Sequence, residues 1–284
     1  MYYTLLYLVS DTLISLYGVT IKIFGHIPLH HHLLIRSIIF TLLSTVSLLK
    51  VPSITWETFG LSIANLTSIL GMYIGFKNLD IGVANSLFFT WPILYYLITI
   101  PTLKTHTFNS KQFAILIVLL IASIMVLGKK GVSNSNSNSN SDTNMFIGIF
   151  GIILAILTHI FIIIYYKIDV TQNIHKYLQN QYFIMLIVMV IYTLYNLGKT
   201  VTFIENNVSN YLCIMLFNIV AGYLAFYLNF YSVGHISNYA LSMTTFLTIV
   251  ISFLFGSIFL GEKTSIIQWV GILIISFLNI KSLG

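Results

Sequence analysis

Two helices too apolar for water close the chain and constrain it most. Asn229–Asn279 reads NFYSVGHISNYALSMTTFLTIVISFLFGSIFLGEKTSIIQWVGILIISFLN. This is a helix end, a turn at Gly234-His235, an apolar helix of roughly 20 residues, a break at Gly261-Glu262-Lys263, and a second apolar helix. Spans joined by so tight a break must be antiparallel neighbours. The pattern has a partner at Gly75–Gly128, where Phe76 aligns with Phe230, Leu87 with Leu241 and Thr90 with Thr244. After a two-residue slip, Gln112 aligns with Gln268. The chain is expected to be built twice.

Hydrophobic residues make up 57% of the chain and charged residues 7%, against about a quarter charged in soluble proteins. The partner is therefore the lipid bilayer, and the protein is integral to a membrane. The net charge of +6 comes from 13 basic residues with no dense cluster, so no nucleic-acid partner is expected. Cys213, the single cysteine, excludes an internal disulfide and reads as a small buried hydrophobe. Met1-Tyr2-Tyr3 carries no basic n-region, and the first apolar stretch runs past signal-peptide length to about Phe24. It reads as the first span.

Apolar segments lie at about 2–24, 30–49, 55–76, 82–102, 111–128, 145–167, 181–198, 208–231, 238–260 and 264–281. Each approaches the ~20 residues that a helix needs to cross ~30 Å of hydrocarbon. Unbroken segments of this length exclude a β-barrel, which would alternate over about ten residues. The Asn/Ser tract within 129–144 has nothing to bury and reads as a disordered linker between repeats 1–128 and 145–284. Five crossings per half bring the second half in from the opposite side. The expected fold is an all-α membrane protein with ten transmembrane helices in two inverted five-helix repeats. The basic residues divide almost evenly between the two sides, so orientation is not set.

Asp11 lies nine residues into the first helix, ~14 Å deep by helical rise and near the midplane. A charge there costs at least ~2.5 kcal/mol. It reads either as a pathway acid or as a hydrogen-bonded packing residue helped by Ser10 and Thr12. His159 on the sixth helix falls at the same level and is either a packed imidazole or the partner of Asp11 in proton coupling. Arg36 is ~9 Å into the second helix, an interfacial anchor or a cavity cation for an anionic substrate. His30, His31 and His32 point about 100° apart and cannot converge on one ion, so they read as interfacial and solvated, with no metal or cofactor expected. Glu262 reads as a cap for the last helix.

Asn238, Ser242, Thr245 and Ser252 form one stripe on the ninth helix, and the matching positions on the fourth are Ala84, Phe88, Trp91 and Tyr95. Asn65 and Ser68 mark the third helix, and Asn218, Gly222 and Asn229 the eighth. Asp11, Arg36, Asn65, Trp91, Tyr95, His159, Asn218, Ser242 and Thr245 are the candidate cavity residues. The alternative for the Ser, Thr and Asn positions is interhelical hydrogen bonding. Gly71-x-x-x-Gly75 and Gly148-x-x-Gly151 supply surfaces for close helix approach. No Walker motif, HExxH or GxSxG occurs, so ATP-driven pumping and standard hydrolase chemistry have no support.

The segment Asn78–Pro92 (NLDIGVANSLFFTWP), its repeat at Ser232–Thr248, the break Leu260–Thr264 followed by Gln268-x-x-Gly271, and Arg36 resemble the drug/metabolite transporter superfamily, specifically its EamA-like members. The resemblance implies secondary transport of a small metabolite through a central cavity lined by the first four helices of each repeat. The halves have diverged: Glu262 is matched by His106, and Pro92 by Phe246. The ninth helix has no Lys/Arg pair of the kind a phosphate ester would ask for. The expected function is secondary transport of a small polar or amphipathic metabolite by alternating access, with a proton as candidate coupling ion. The rival readings are a membrane-embedded enzyme acting on lipid and a non-transporting scaffold.

Overall fold

The computed structural model describes residues 2–103, 109–127, 140–168, 173–196 and 204–283. Helices follow one another as α1 (Tyr2–Ile23), α2 (Leu29–Leu48), α3 (Trp56–Asn78), α4 (Ile81–Phe88, resumed at Trp91–Leu103) and α5 (Ser110–Leu127). The second half continues with α6 (Asn140–Ile168), α7 (Ile174–Tyr195), α8 (Val208–Val233), α9 (Asn238–Leu260) and α10 (Ile266–Leu283). Eight are long and apolar enough to cross a membrane, and α5 and α10 are shorter apolar helices. No strand occurs among the described residues.

Polar residues set the helix starts. Thr55 accepts the Thr58 N–H at 3.1 Å, Ser237 the Ala240 N–H at 3.1 Å, and Asn173 the His175 N–H at 2.9 Å, each satisfying an orphan donor of the first turn. At the end of α9, Gly261 takes φ 65°, a left-handed conformation that a Cβ disfavours. The pause in α4 at Phe89 and Thr90 precedes Pro92, which has no N–H to give the Phe88 carbonyl and whose ring crowds it.

Exchanging each helix for the one five places on reproduces the larger packing pairs. α3 packs on α6 as α8 packs on α1, and α1 on α9 as α6 on α4; α2 with α7, α4 with α9 and α5 with α10 are self-paired. The turns have diverged: Leu79 and Asp80 join α3 to α4, whereas Gly234–Ser237 join α8 to α9, so the register of Phe76 and Phe230 does not carry on to the next helix starts.

The two glycine pairs mesh with each other. A Cβ on Gly71 would lie 2.3 Å from the Gly151 carbonyl oxygen, and one on Gly75 2.2 Å from Ile152 Cδ1. Only bare backbone lets α3 and α6 approach this closely.

Three expectations shift. α6 begins at Asn140, so 140–144 are helical; residues 128–139 of the Asn/Ser tract, like His106, lie outside the described residues. α7 begins at Ile174 rather than 181, because its polar stretch Gln179–Gln181 is buried against protein instead of lipid. Gln179 donates to Thr45 Oγ1 and the Lys50 carbonyl at 3.0 and 2.9 Å, and the Asn180 carbonyl accepts Ser62 Oγ at 2.6 Å. Cys213 is exposed, on the same outward face of α8 as Leu212 and Leu216.

Candidate substrate cavity

A cavity of about 80 Å³ opens among α1, α2, α3, α4, α6 and α8. α1 lines it with Tyr7, Asp11 and Ser15, spaced i, i+4, i+8 on one face. Asp11 is buried and accepts hydrogen bonds from Asn229 Nδ2 at 2.8 Å and Thr248 Oγ1 at 3.5 Å. Tyr7 shares a 3.0 Å hydrogen bond with Thr245 Oγ1. α1, α8 and α9 thus meet around one carboxylate.

Arg36, only 2% exposed, enters from α2. Its Nε and Nη2 donate to the Tyr182 hydroxyl at 3.0 and 2.9 Å, and Nη1 to the Tyr73 hydroxyl at 3.4 Å. Its Cζ lies 4.3 Å from the Tyr17 ring centroid and 4.6 Å from that of Phe226. Hydrogen bonds to a charged group contribute ~1.5–3 kcal/mol each. Three of them, with the ring faces, offset the ~2.5–3.5 kcal/mol cost of a mid-membrane guanidinium. Among the described residues no carboxylate lies within ion-pair distance of it.

Local backbone sets this cage. α8 is wound as a π-helix over Asn218–Leu224, a form that concentrates at functional sites. Asn218 there accepts the Tyr17 hydroxyl at 2.8 Å, and a Cβ on Gly222 would lie 2.4 Å from that oxygen. The π-turn therefore seats Tyr17 beneath Arg36. Opposite, α6 supplies His159, half-buried, with ring centroids 5.2 Å from Phe88 and 5.0 Å from Trp91.

Charged groups also sit at the ends of α1 and α6. At the end of α1, Lys22 meets Glu262 at 2.7 Å and Asp80 at 3.8 Å. At the end of α6, the equivalent Lys167 donates to Asn238 Oδ1 at 2.6 Å and to the Ile236 carbonyl at 3.3 Å. Tyr95 donates to the same Asn238 oxygen at 3.1 Å.

Residues 146–277 match the model of the EamA-like transporter family. That stretch of the second half is EamA-like. The EamA-like family is part of the drug/metabolite transporter superfamily, and the chain is a multi-pass integral membrane protein. A solved structure titled only as the crystal structure of a protein shares the fold, with TM-score 0.68 and 12% identity, over 100% of this chain and 99% of its own. No curated protein sequence matches.

Within this EamA-like fold, Asp11, Arg36, Asn65, Trp91 and His159 line one cavity. Tyr95, Asn218, Ser242 and Thr245 do not line it. Their polar groups are taken up by neighbouring helices: Thr245 holds Tyr7, Asn218 holds Tyr17, Tyr95 holds Asn238, and Ser242 donates to the Asn238 carbonyl at 2.9 Å. Tyr73 and Tyr182 escape sequence reading because 18 tyrosines carry no signal of which ones turn inward. Tyr7 was readable from its i, i+4 spacing to Asp11.

Two further corrections concern charge and imidazole. Glu262 does not cap its own following helix; both its oxygens accept the Ile81 N–H at the start of α4, at 3.1 and 3.2 Å. His31 and His32 are buried rather than solvated, because α2 is covered here by protein. His31 Nδ1 bonds the Tyr211 hydroxyl, and His32 packs edge-on to Tyr73.

Proposed function

We propose that this protein is a secondary transporter that carries a small polar or amphipathic metabolite by alternating access, its two repeats rocking about the central cavity. The observation that carries the reading is the placement of the cavity. It lies between the two halves and takes side chains from both, with the polar clusters Lys22–Glu262–Asp80 and Lys167–Asn238–Tyr95 at the ends of α1 and α6. A volume near 80 Å³ is far below the ~300–1,000 Å³ of ordinary ligand pockets, so the repeats must part further to admit a larger metabolite.

Asp11 and His159 reach this one cavity from equivalent helices, as proton-coupling groups would need to. The lipid-enzyme reading has less support: the neighbours of His159 are aromatic rings rather than a nucleophile or metal-ligand partner. The test is uptake of a metabolite panel into proteoliposomes with and without an imposed pH gradient. Flux of some panel member above empty liposomes is expected, accelerated by the gradient; no flux of any solute under either condition would overturn transport.

A further inference from the structure

Arg36 holds more hydrogen-bond donors than the fold uses. A guanidinium has five N–H groups, and three are directed at two tyrosine hydroxyls. The remaining two have no acceptor among the described residues. Tyr73 and Tyr182 accept from Arg36, so each hydroxyl hydrogen is free to be donated onward, and Tyr73 lines the cavity beside Arg36. A structural arginine in a membrane is normally matched with a carboxylate or carbonyl; this one is surrounded by rings and donors and opens into a void. Positive charge and spare donors converge there with no carboxylate of the described residues in ion-pair range.

Most of the remaining wall surface is apolar, although Asn65, Ser68, Asn85 and His159 also border it. Phe76, Phe88, Phe89, Phe226 and Phe230 face the same space, and Asp11 lies in the α1 wall with its own donors already supplied by Asn229 and Thr248. At about 80 Å³ the cavity limits its occupant to a small molecule.

We infer that the cavity is a binding site for a short-chain carboxylate, its two oxygens on the free N–H groups of Arg36 with the Tyr73 hydroxyl, and its hydrocarbon body against the phenylalanine wall. This rests on the transport reading for its physiological meaning, but the binding claim stands separately. A guanidinium fork matches a carboxylate in a way that Lys does not. Asp11 repels a second negative group, so monoanions are favoured over dianions.

The test uses the full chain in nanodiscs with Trp56 and Trp269 replaced by Phe, so that Trp91 in the cavity wall reports binding by its fluorescence. Butyrate, butyramide and butylamine share length and differ in charge. Butyrate is expected to bind at least tenfold more tightly than butyramide. Tyr73→Phe, which keeps the ring, should weaken butyrate several-fold, and Arg36→Gln should erase the preference over the amide, with Arg36→Lys restoring part of it. Equal binding of butyrate and butyramide, preference for butylamine, or an unchanged butyrate preference in Arg36→Gln would each overturn the assignment. If Arg36→Gln does not fold, the wild-type comparison and Tyr73→Phe decide alone. Arg36-dependent butyrate binding without flux of any solute would instead defeat the transport reading and leave this site standing; flux of other solutes with no acid preference would do the reverse.

Discussion

Lys22 and Glu262, 240 residues apart in sequence, meet at 2.7 Å. The same carboxylate receives the Ile81 N–H with both oxygens, so one side chain ties the end of α1 and the start of α4 to the α9–α10 break. The tie depends on a glycine. A Cβ on Gly256 would lie 2.3 Å from Glu262 Oε2 and displace the carboxylate. Gly256→Ala and Glu262→Ala are therefore expected to lower stability by similar amounts, about 1–2 kcal/mol each, and to be far from additive together. Thermal unfolding of the two single mutants and the double mutant measures this; full additivity would show that Gly256 acts elsewhere.

Asp80 shares this cluster outside the spans. Burial and the neighbouring Glu262 push its carboxyl above the ordinary carboxylate value, against the opposing pull of Lys22. A raised carboxyl pKa means that the folded state holds the proton more tightly than the unfolded chain. Ionised Asp80 therefore costs stability once pH rises from the ordinary range through the raised value. Asp80→Asn should raise the melting temperature at neutral pH, and the gain should shrink as pH falls into the ordinary carboxylate range. A melting series from ~pH 8 to ~pH 4.5 checks the sign; a mutant less stable at neutral pH would mean that the Lys22 attraction dominates.

Gly71→Ala should be destabilising by ~1–3 kcal/mol or more, because the added carbon meets the Gly151 carbonyl and backbone must shift. Gly60→Ala is the control. A Cβ there meets nothing within 4 Å, and helix propensity alone should stabilise by up to ~1 kcal/mol. Denaturation of both in one detergent compares them; equal effects would remove the close-approach account of α3 and α6.

Asp11 and His159 are expected to act together on proton-dependent flux. Asp11→Asn, His159→Gln and the double mutant should each lose most of the acceleration given by a pH gradient, with the double mutant little worse than the singles. Wild-type pH dependence in either single mutant, or additive losses, would return both residues to packing.

What the sequence shows and what it hides follow from how far apart the partners lie. Helix spans and the glycine faces were legible because lipid imposes length and apolarity locally, and Gly71, Gly75, Gly148 and Gly151 announce close approach by spacing alone. Asp11, Arg36 and His159 stood out as polar groups that lipid cannot hold. The role of Glu262 was hidden because the N–H it caps lies 181 residues away. The burial of His31 and of the Gln179–Gln181 turn was hidden for the same reason, since both bond to helices from the other half.

The most direct measurement of alternating access is the reachability of one cavity residue from each face. Ser15 lines the cavity and is small, so Ser15→Cys can be labelled by a membrane-impermeant maleimide in a Cys213→Ser background, Cys213 being exposed and otherwise reactive. In vesicles of both orientations the thiol should be labelled from either side. Adding Glu262→Ala should speed labelling from the Lys22 face and slow it from the Lys167 face, because releasing one closure favours the state open there. Labelling confined to one face in every variant, or acceleration from both faces at once, would contradict a transporter that opens to one side at a time.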